Sequence, residues 1–489
     1  MIGSTLSWFL AQEPTLQDLQ DQLDAIKSAQ ALDSVVLGEF YYFFTVAILW
    51  LAHVGFMAYE GGASRRKNVM STALKNILTI AVVTPTFYYF GWYIYACFGE
   101  GIIPYGPGAE GFGGAQGGFC ATGWPWSNNL GPNFADHITG VFWAIFLLFS
   151  WTTASIMSGA VIERIRLSAF LILAAILGSV IWILDAAWGW SPYGFLPLRW
   201  GFHDSIASLV VHGVAGAFAL GVLLNLGPRI GKYDWEGRAR DFRGHNTHLS
   251  LMGLLLIFVG FYGFYAGCLA ISSLTFPGWY NIYFNPTTLS AITYAITIGF
   301  AGGFTGGYFA SRGDPFWTLS GGLAGVISVS AGADIYAPSL DWLISISGGA
   351  LAVYSGQFIE RKLRVDDAVG AVAVHGVCGF WGVLAVGLFA SGYPTGLNNV
   401  DTTLQGQLMG MLVFLPLGFF GGYIPAWILK QFNLLRVPPE VELEGLDLAE
   451  FQRDFYPEFE RATEAIVLPS GEVVESEPVL LDAFRGAHT

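Results

Sequence analysis

Asp204-SIASLVV-His212-GVAG and Asp367-AVGAVAV-His375-GVCG are two copies of one pattern. Each has an aspartate, seven residues without charge, a histidine and then Gly-Val-x-Gly. Both copies open apolar runs long enough to cross a bilayer, and both histidines fall inside those runs. A single buried histidine is usually a satisfied core residue. An ionisable ring in hydrocarbon nevertheless costs free energy unless it finds a partner, so it marks a functional site by default. Two at matched positions of a duplicated unit point further, because duplicated halves commonly build one central site between them. The reading is that His212 and His375 meet at mid-membrane on a conduction path, and the small residues after each let another helix approach.

The rest of the chain agrees with a membrane body. Of 489 residues, 54% are hydrophobic and only 12% charged, against roughly 25% in soluble domains. Mean hydropathy is +0.53. The net charge of −14 sits at the ends: residues 1–40 carry −5 and residues 437–489 carry −10, leaving +1 for the middle. Such a surface argues against nucleic acid as a partner.

Apolar segments at 38–58, 75–98, 137–161, 167–188, 204–226, 248–272, 287–310, 316–334, 340–358, 367–391 and 403–430 predict eleven transmembrane helices in an all-α polytopic fold. The copies lie in the fifth and tenth spans, so the repeat unit has five helices. Five is odd, and two five-helix inverted repeats plus one extra helix follow. Basic residues such as Arg65, Arg66, Lys67, Arg164, Arg166, Arg229 and Lys232 share one set of loops, which predicts the N-terminus outside and the C-terminus inside the cell membrane. The chain divides into an outer N-terminal segment (1–37), a membrane domain (38–430) and an acidic cytoplasmic tail (431–489).

Residues 15–33 carry Leu19, Leu23 and Ile26 at helical intervals, which predicts a short amphipathic helix outside the first span. The start has no basic n-region and is a poor signal peptide. The glycine-rich outer loop 99–136 lacks the Gly-Lys-Ser/Thr of a phosphate loop. Cys97, Cys120, Cys268 and Cys378 show no metal spacing, and a Cys97–Cys120 disulfide is one reading. No cofactor is expected. In the tail, AIVLPSGEVV reads as strand-turn-strand around Pro469-Ser470-Gly471.

Four further motifs occur in order: GGASRRKNVMST at 61–72, ERIRLSA at 163–169, VDDAVGAVAVHGVCGFWG at 365–382 and LRVPPEVELEGLD at 435–447. With these, the chain resembles the ammonium transporter family (Amt/Mep, related to Rh proteins) over about residues 38–450. The resemblance implies a twin-histidine pore at His212 and His375 and an outer gate of stacked phenylalanines at Phe149 and Phe264. It implies recruitment of the cation by Trp188, with Asp204 beneath and Cys268 where the family usually has a serine. The chain departs from the family at Gly370, often an aspartate, and at Tyr265, often an asparagine. By the same resemblance the substrate is ammonium or ammonia, with methylammonium as analogue, and the protein is a homotrimer rather than an enzyme. A PII-type regulatory protein would dock at the cytoplasmic face. The rival readings are an ammonium sensor signalling through its tail and a neutral ammonia gas channel. A metal-dependent hydrolase would need a third ligand that the spacing does not offer.

Asp204 has a plain alternative role, as an N-terminal helix cap worth about 0.5–2 kcal/mol. Asp367 is expected to be mainly a cap. Ordinary core packing is the alternative for the phenylalanines, of which the chain has 39.

Overall fold

The computed structural model describes residues 15–99, 137–242, 244–271, 278–390, 402–453, 455–456, 466–467 and 473–474. The glycine-rich loop beyond residue 99 and Cys120 lie outside them. Ten of the described helices are long and apolar enough to cross a membrane. They are α1 (Leu16–Ala63), α2 (Arg66–Cys97), α3 (Gly140–Ala160), α4 (Leu167–Gly189), α5 (Ser208–Leu226), α6 (Thr247–Gly267) and α7 (Leu289–Ser311), then α9 (Pro338–Arg361), α10 (Val372–Phe389) and α11 (Leu404–Gln431). Between α7 and α9 lies α8 (Pro315–Ser330), shorter but buried from Ser320 onward. Its residues match the predicted 316–334 segment, which ends early because the chain turns after Ser330 and runs irregularly to Tyr336.

The amphipathic helix and the first span are one 48-residue helix, not two elements. The sequence explains the continuity: between Thr15 and Leu37 there is neither glycine nor proline. Thr15 starts the helix with a capping box, its hydroxyl accepting from the Asp18 amide while the Asp18 carboxylate accepts from the Thr15 amide at 2.9 Å. Leu19, Leu23 and Ile26 are exposed.

Glycine lets the helices close. A Cβ at Gly253 of α6 would sit 2.3 Å from the Tyr59 amide nitrogen of α1, and one at Gly260 would sit 2.4 Å from that of Ala52. In lipid, where apolar surface gains little by leaving the solvent, such close backbone packing replaces the hydrophobic drive. The triad α7, α8 and α9 packs the same way, with a Cβ at Gly303 meeting the Gly321 carbonyl at 2.3 Å.

At one end of the bundle the loops meet in a buried ion-pair network. Glu163 pairs with Arg65 at 2.6 Å and with Arg229 at 3.5 Å. Asp366 pairs with Arg229 at 2.9 Å and lies 3.9 Å from Arg164. Burial opposes ionisation of Glu163, but the Arg229 and Arg65 guanidiniums hold its carboxyl below the ordinary value. Burial opposes Asp366 likewise, and Arg164 and Arg229 hold it well below the usual carboxylate range. The tail folds back onto this end: Arg436 pairs with Glu442 at 2.7 Å and donates to the Leu226 carbonyl, and Asp447 accepts from the Met70 and Ser71 amides. Further on, Ile466 pairs with Val474 and Val467 with Val473, the antiparallel register that the Pro-Ser-Gly turn predicts.

Candidate functional site

The two copies of the repeated unit fold alike. Asp204 accepts from the amides of Ser208, Leu209 and Val210 at 2.6–3.0 Å, and Asp367 accepts from the Val372 amide at 2.7 Å. Both are therefore caps, as the plain reading of each has it. Three residues past each aspartate the backbone turns left-handed, at Ala207 (φ 59) and at Gly370 (φ 75). Each histidine then lies on a wide π-type turn, Ser208–Gly213 or Val372–Val377. Such turns rotate the following side chains out of the regular helical phase and are frequent at functional sites.

The glycines of Gly-Val-x-Gly bring the copies together. A Cβ at Gly216 would lie 2.3 Å from Cα of Gly376, and a Cβ at Gly379 would lie 2.6 Å from the Gly213 nitrogen. The first glycine of each unit thus faces the last glycine of the other, an antiparallel register and the relation an inverted repeat produces. At this crossing His212 Nδ1 and His375 Nδ1 are 3.0 Å apart, and both rings are buried. One nitrogen must donate and the other accept, so the two tautomers are coupled. Among the described residues the buried Nε2 atom of His212 has no hydrogen-bond partner.

A column of rings leads up to this pair. Phe264 lies 5.7 Å from the His212 ring and 4.6 Å from Phe149, centroid to centroid. Both phenylalanines are fully buried. Phe261, one helical turn before Phe264, stacks on His212 at 5.7 Å and 9°. Its i, i+3 spacing from Phe264 was a legible signal of a shared face. Trp190, not Trp188, contacts Phe149, at 5.4 Å. Trp188 packs on Phe195 at 5.9 Å, and its buried indole nitrogen has no partner among the described residues. Two residues apart on a helix end, the tryptophans face different ways, and nothing in the spacing says which meets the column.

The departures from the family pattern each have a local use. Cys268 donates its thiol to the Phe264 carbonyl at 3.2 Å on its own helix. Tyr265 donates to the Val326 carbonyl at 2.7 Å, tying α6 to α8. Gly370 sits under Trp317, whose ring a Cβ there would meet at 3.3 Å. Below it a cavity of about 590 Å³ is lined by Asp367, Gly370, Ala373, Trp317, Phe242 and Arg229. Cations surround the Phe242 ring: Arg65, Arg229 and Lys232 lie 4.9, 5.2 and 5.7 Å from its centroid.

Residues 40–456 match the model of the Ammonium Transporter Family. The chain is 31% identical over 432 residues to Ammonium transporter Amt2 of Archaeoglobus fulgidus, covering 84% of this chain and 86% of that protein. It is 29% identical over 424 residues to Ammonium transporter Amt1 of Methanocaldococcus jannaschii, covering 86% and 97%. Among solved structures it superposes on a protein described as "Sensor Amt Protein" with a TM-score of 0.71 at 26% identity, covering 86% of this chain and 99% of that one. It shares the fold of Saccharomyces cerevisiae Mep2 (TM-score 0.64, 20% identity, 82% and 90% covered).

Proposed function

Since the chain belongs to the ammonium transporter family, we propose that it takes up ammonium, removes a proton at the outer mouth and conducts ammonia past His212 and His375. The observation that carries this reading is the buried 3.0 Å imidazole pair at the base of an aromatic column. Ammonium is charged at neutral pH, and a bare ion in a medium of ε ≈ 4 costs on the order of tens of kcal/mol. Rings at the mouth supply about 0.5–2 kcal/mol each, enough to gather the ion but not to carry it through. Potassium is attracted by the same rings, so selectivity needs a step that potassium cannot make. Loss of a proton is that step.

The proton then passes separately along the histidine pair, whose shared hydrogen bond gives it a path. Phe149 and Phe264 close the column above and open it by ring rotation. Trp190 joins Trp188 as a recruiting ring. Asp204 adds a negative field to its capping role.

Counting α8, about 24 Å long at 1.5 Å per residue, the chain crosses eleven times. The concentration of basic residues in the loops that meet the tail supports a cytoplasmic position for that end and an outer N-terminus. Every residue of the path comes from one chain, so a homotrimer would carry one path per subunit. A PII-type protein would then meet the tail and inner loops.

The test is the current in liposomes holding the purified protein, pulsed with ammonium and then with potassium. A saturable current for ammonium alone, abolished by replacing both histidines with leucine, is expected. An unchanged current in that double variant refutes the relay. Binding of ammonium with neither current nor flux would replace transport by sensing.

A further inference from the structure

The segment 368–374 separates two cavities: Ala368, Gly370 and Ala373 line the large inner one, and Val369, Ala371 and Val374 line a small one of about 20 Å³. That volume holds about one water molecule. The small cavity is lined by His375 on one side and by Glu60 on another, with Tyr59, Ser155 and Ser320 supplying further hydroxyls.

Glu60 is a carboxylate inside a membrane helix and only 1% exposed. It accepts from Asn76 Nδ2 of α2 at 2.9 Å and from the Ser158 hydroxyl of α3 at 2.5 Å. Lys75 of α2, 2% exposed, interacts with it electrostatically, although the ammonium has no hydrogen-bond partner among the described residues. Its nitrogen lies 5.6 Å from the Phe170 ring. Lys75 also interacts with Glu450 on the tail, whose side chain reaches water. From the segment carrying the second histidine, Asp367 acts on the neighbouring Tyr59, which donates to the Val369 carbonyl. A buried carboxylate and ammonium are expensive, and inside a membrane such groups mark a functional site by default.

We propose that Glu60, held by Asn76, Ser158 and the field of Lys75, is the group that takes the proton from the histidine pair on the cytoplasmic side, across the small cavity, while ammonia leaves by the large one. The inference rests on the transport reading above. In this step an N–H bond of the protonated His375 ring breaks and an O–H bond forms on Glu60. The imidazole returns to neutral, and the charge of the carboxylate is cancelled while Lys75 keeps its own. Glu60 then releases the proton to the inner water past Lys75 and Glu450, and its ionised form again faces the ammonium. Charge and ammonia thus enter by one mouth and leave by two exits.

The experiment records ammonium-evoked current and the total ammonia plus ammonium accumulated inside the vesicle, assayed chemically after quenching, on the same liposomes for the full chain and for Glu60→Gln and Glu60→Asp. Glu60→Gln is expected to lower the charge moved per ammonia delivered at least ten-fold. Glu60→Asp, which keeps the carboxylate, is expected to give an intermediate ratio. A wild-type ratio in Glu60→Gln overturns the proposal. So does parallel loss of charge and ammonia in both variants, which marks a purely structural residue. If the double histidine variant loses current while Glu60→Gln keeps it, the exit alone fails. If the unaltered protein carries no current, the transport reading fails and this proposal falls with it.

Discussion

Adding a methyl group at Gly216 tests whether the helix crossing sets the histidine distance. The Cβ of an alanine there would lie 2.3 Å from both Cα and N of Gly376, which are backbone atoms of the helix start that carries His375. Carbon atoms settle at about 3.5–4.0 Å, so α5 and α10 must part by about 1.2 Å at the crossing. Taken up along the 3.0 Å Nδ1–Nδ1 contact, that separation brings the nitrogens to about 4.2 Å, beyond hydrogen-bond range. Overpacking of this kind costs about 1–3 kcal/mol, and the lost hydrogen bond about 0.5–1.5 kcal/mol. The better helix propensity of alanine returns at most about 1 kcal/mol. The net expectation for Gly216→Ala is a protein that folds, melts lower in detergent by the equivalent of about 1–3 kcal/mol, and carries at least ten-fold less ammonium current. Gly61→Ala is the control, since a Cβ there meets nothing within 4 Å. Current at wild-type level in Gly216→Ala would show that the crossing does not hold the rings in register.

Asp204→Asn keeps a capping oxygen and is expected to fold while recruiting ammonium less well, raising the half-saturating concentration for current. Asp204→Ala leaves the amides of Ser208, Leu209 and Val210 without their acceptor and should destabilise by about 1–3 kcal/mol, read as lower yield and melting temperature. Gly370→Ala places a Cβ in a left-handed conformation and against Trp317, costing about 1–2 kcal/mol, whereas Gly370→Asn should cost less because asparagine tolerates that region. For acid stability, Glu163 and Asp366 are held below their ordinary values when folded, so the unfolded chain binds protons first as pH falls. Their contribution is whole above the ordinary carboxylate values near about pH 4 and is lost as pH drops through the folded ones. Melting curves should be flat from about pH 7 to 5 and fall below about pH 4. Arg229→Ala, which brings both folded values back toward the unfolded ones, should lower stability at neutral pH and shrink the acid fall, and a fall of unchanged size would detach the network from acid stability.

Much of this fold is legible in the chain because hydropathy is local. A run of apolar residues is long enough to cross or it is not, and from the third span on the described helices follow the predicted segments closely, whereas the second, expected at 75–98, begins earlier, at Arg66. The first boundary went differently because helix continuity depends on the absence of breakers, and none stands between the outer stretch and the span. Doubling of the aspartate–histidine unit foretold a pair, since matched units that cross in opposite directions bring like residues to one axis. What only the tertiary structure decided is how side chains are turned. The π-type turns shift each histidine out of simple helical phase, and the reciprocal glycines set how near the helices lie. Whether Trp188 or Trp190 meets Phe149, why Tyr265 and Gly370 suit their places, and which cavity reaches Glu60 all depend on helix rotation and crossing. These are long-range quantities fixed by packing among many helices, and no spacing along one of them carries that information.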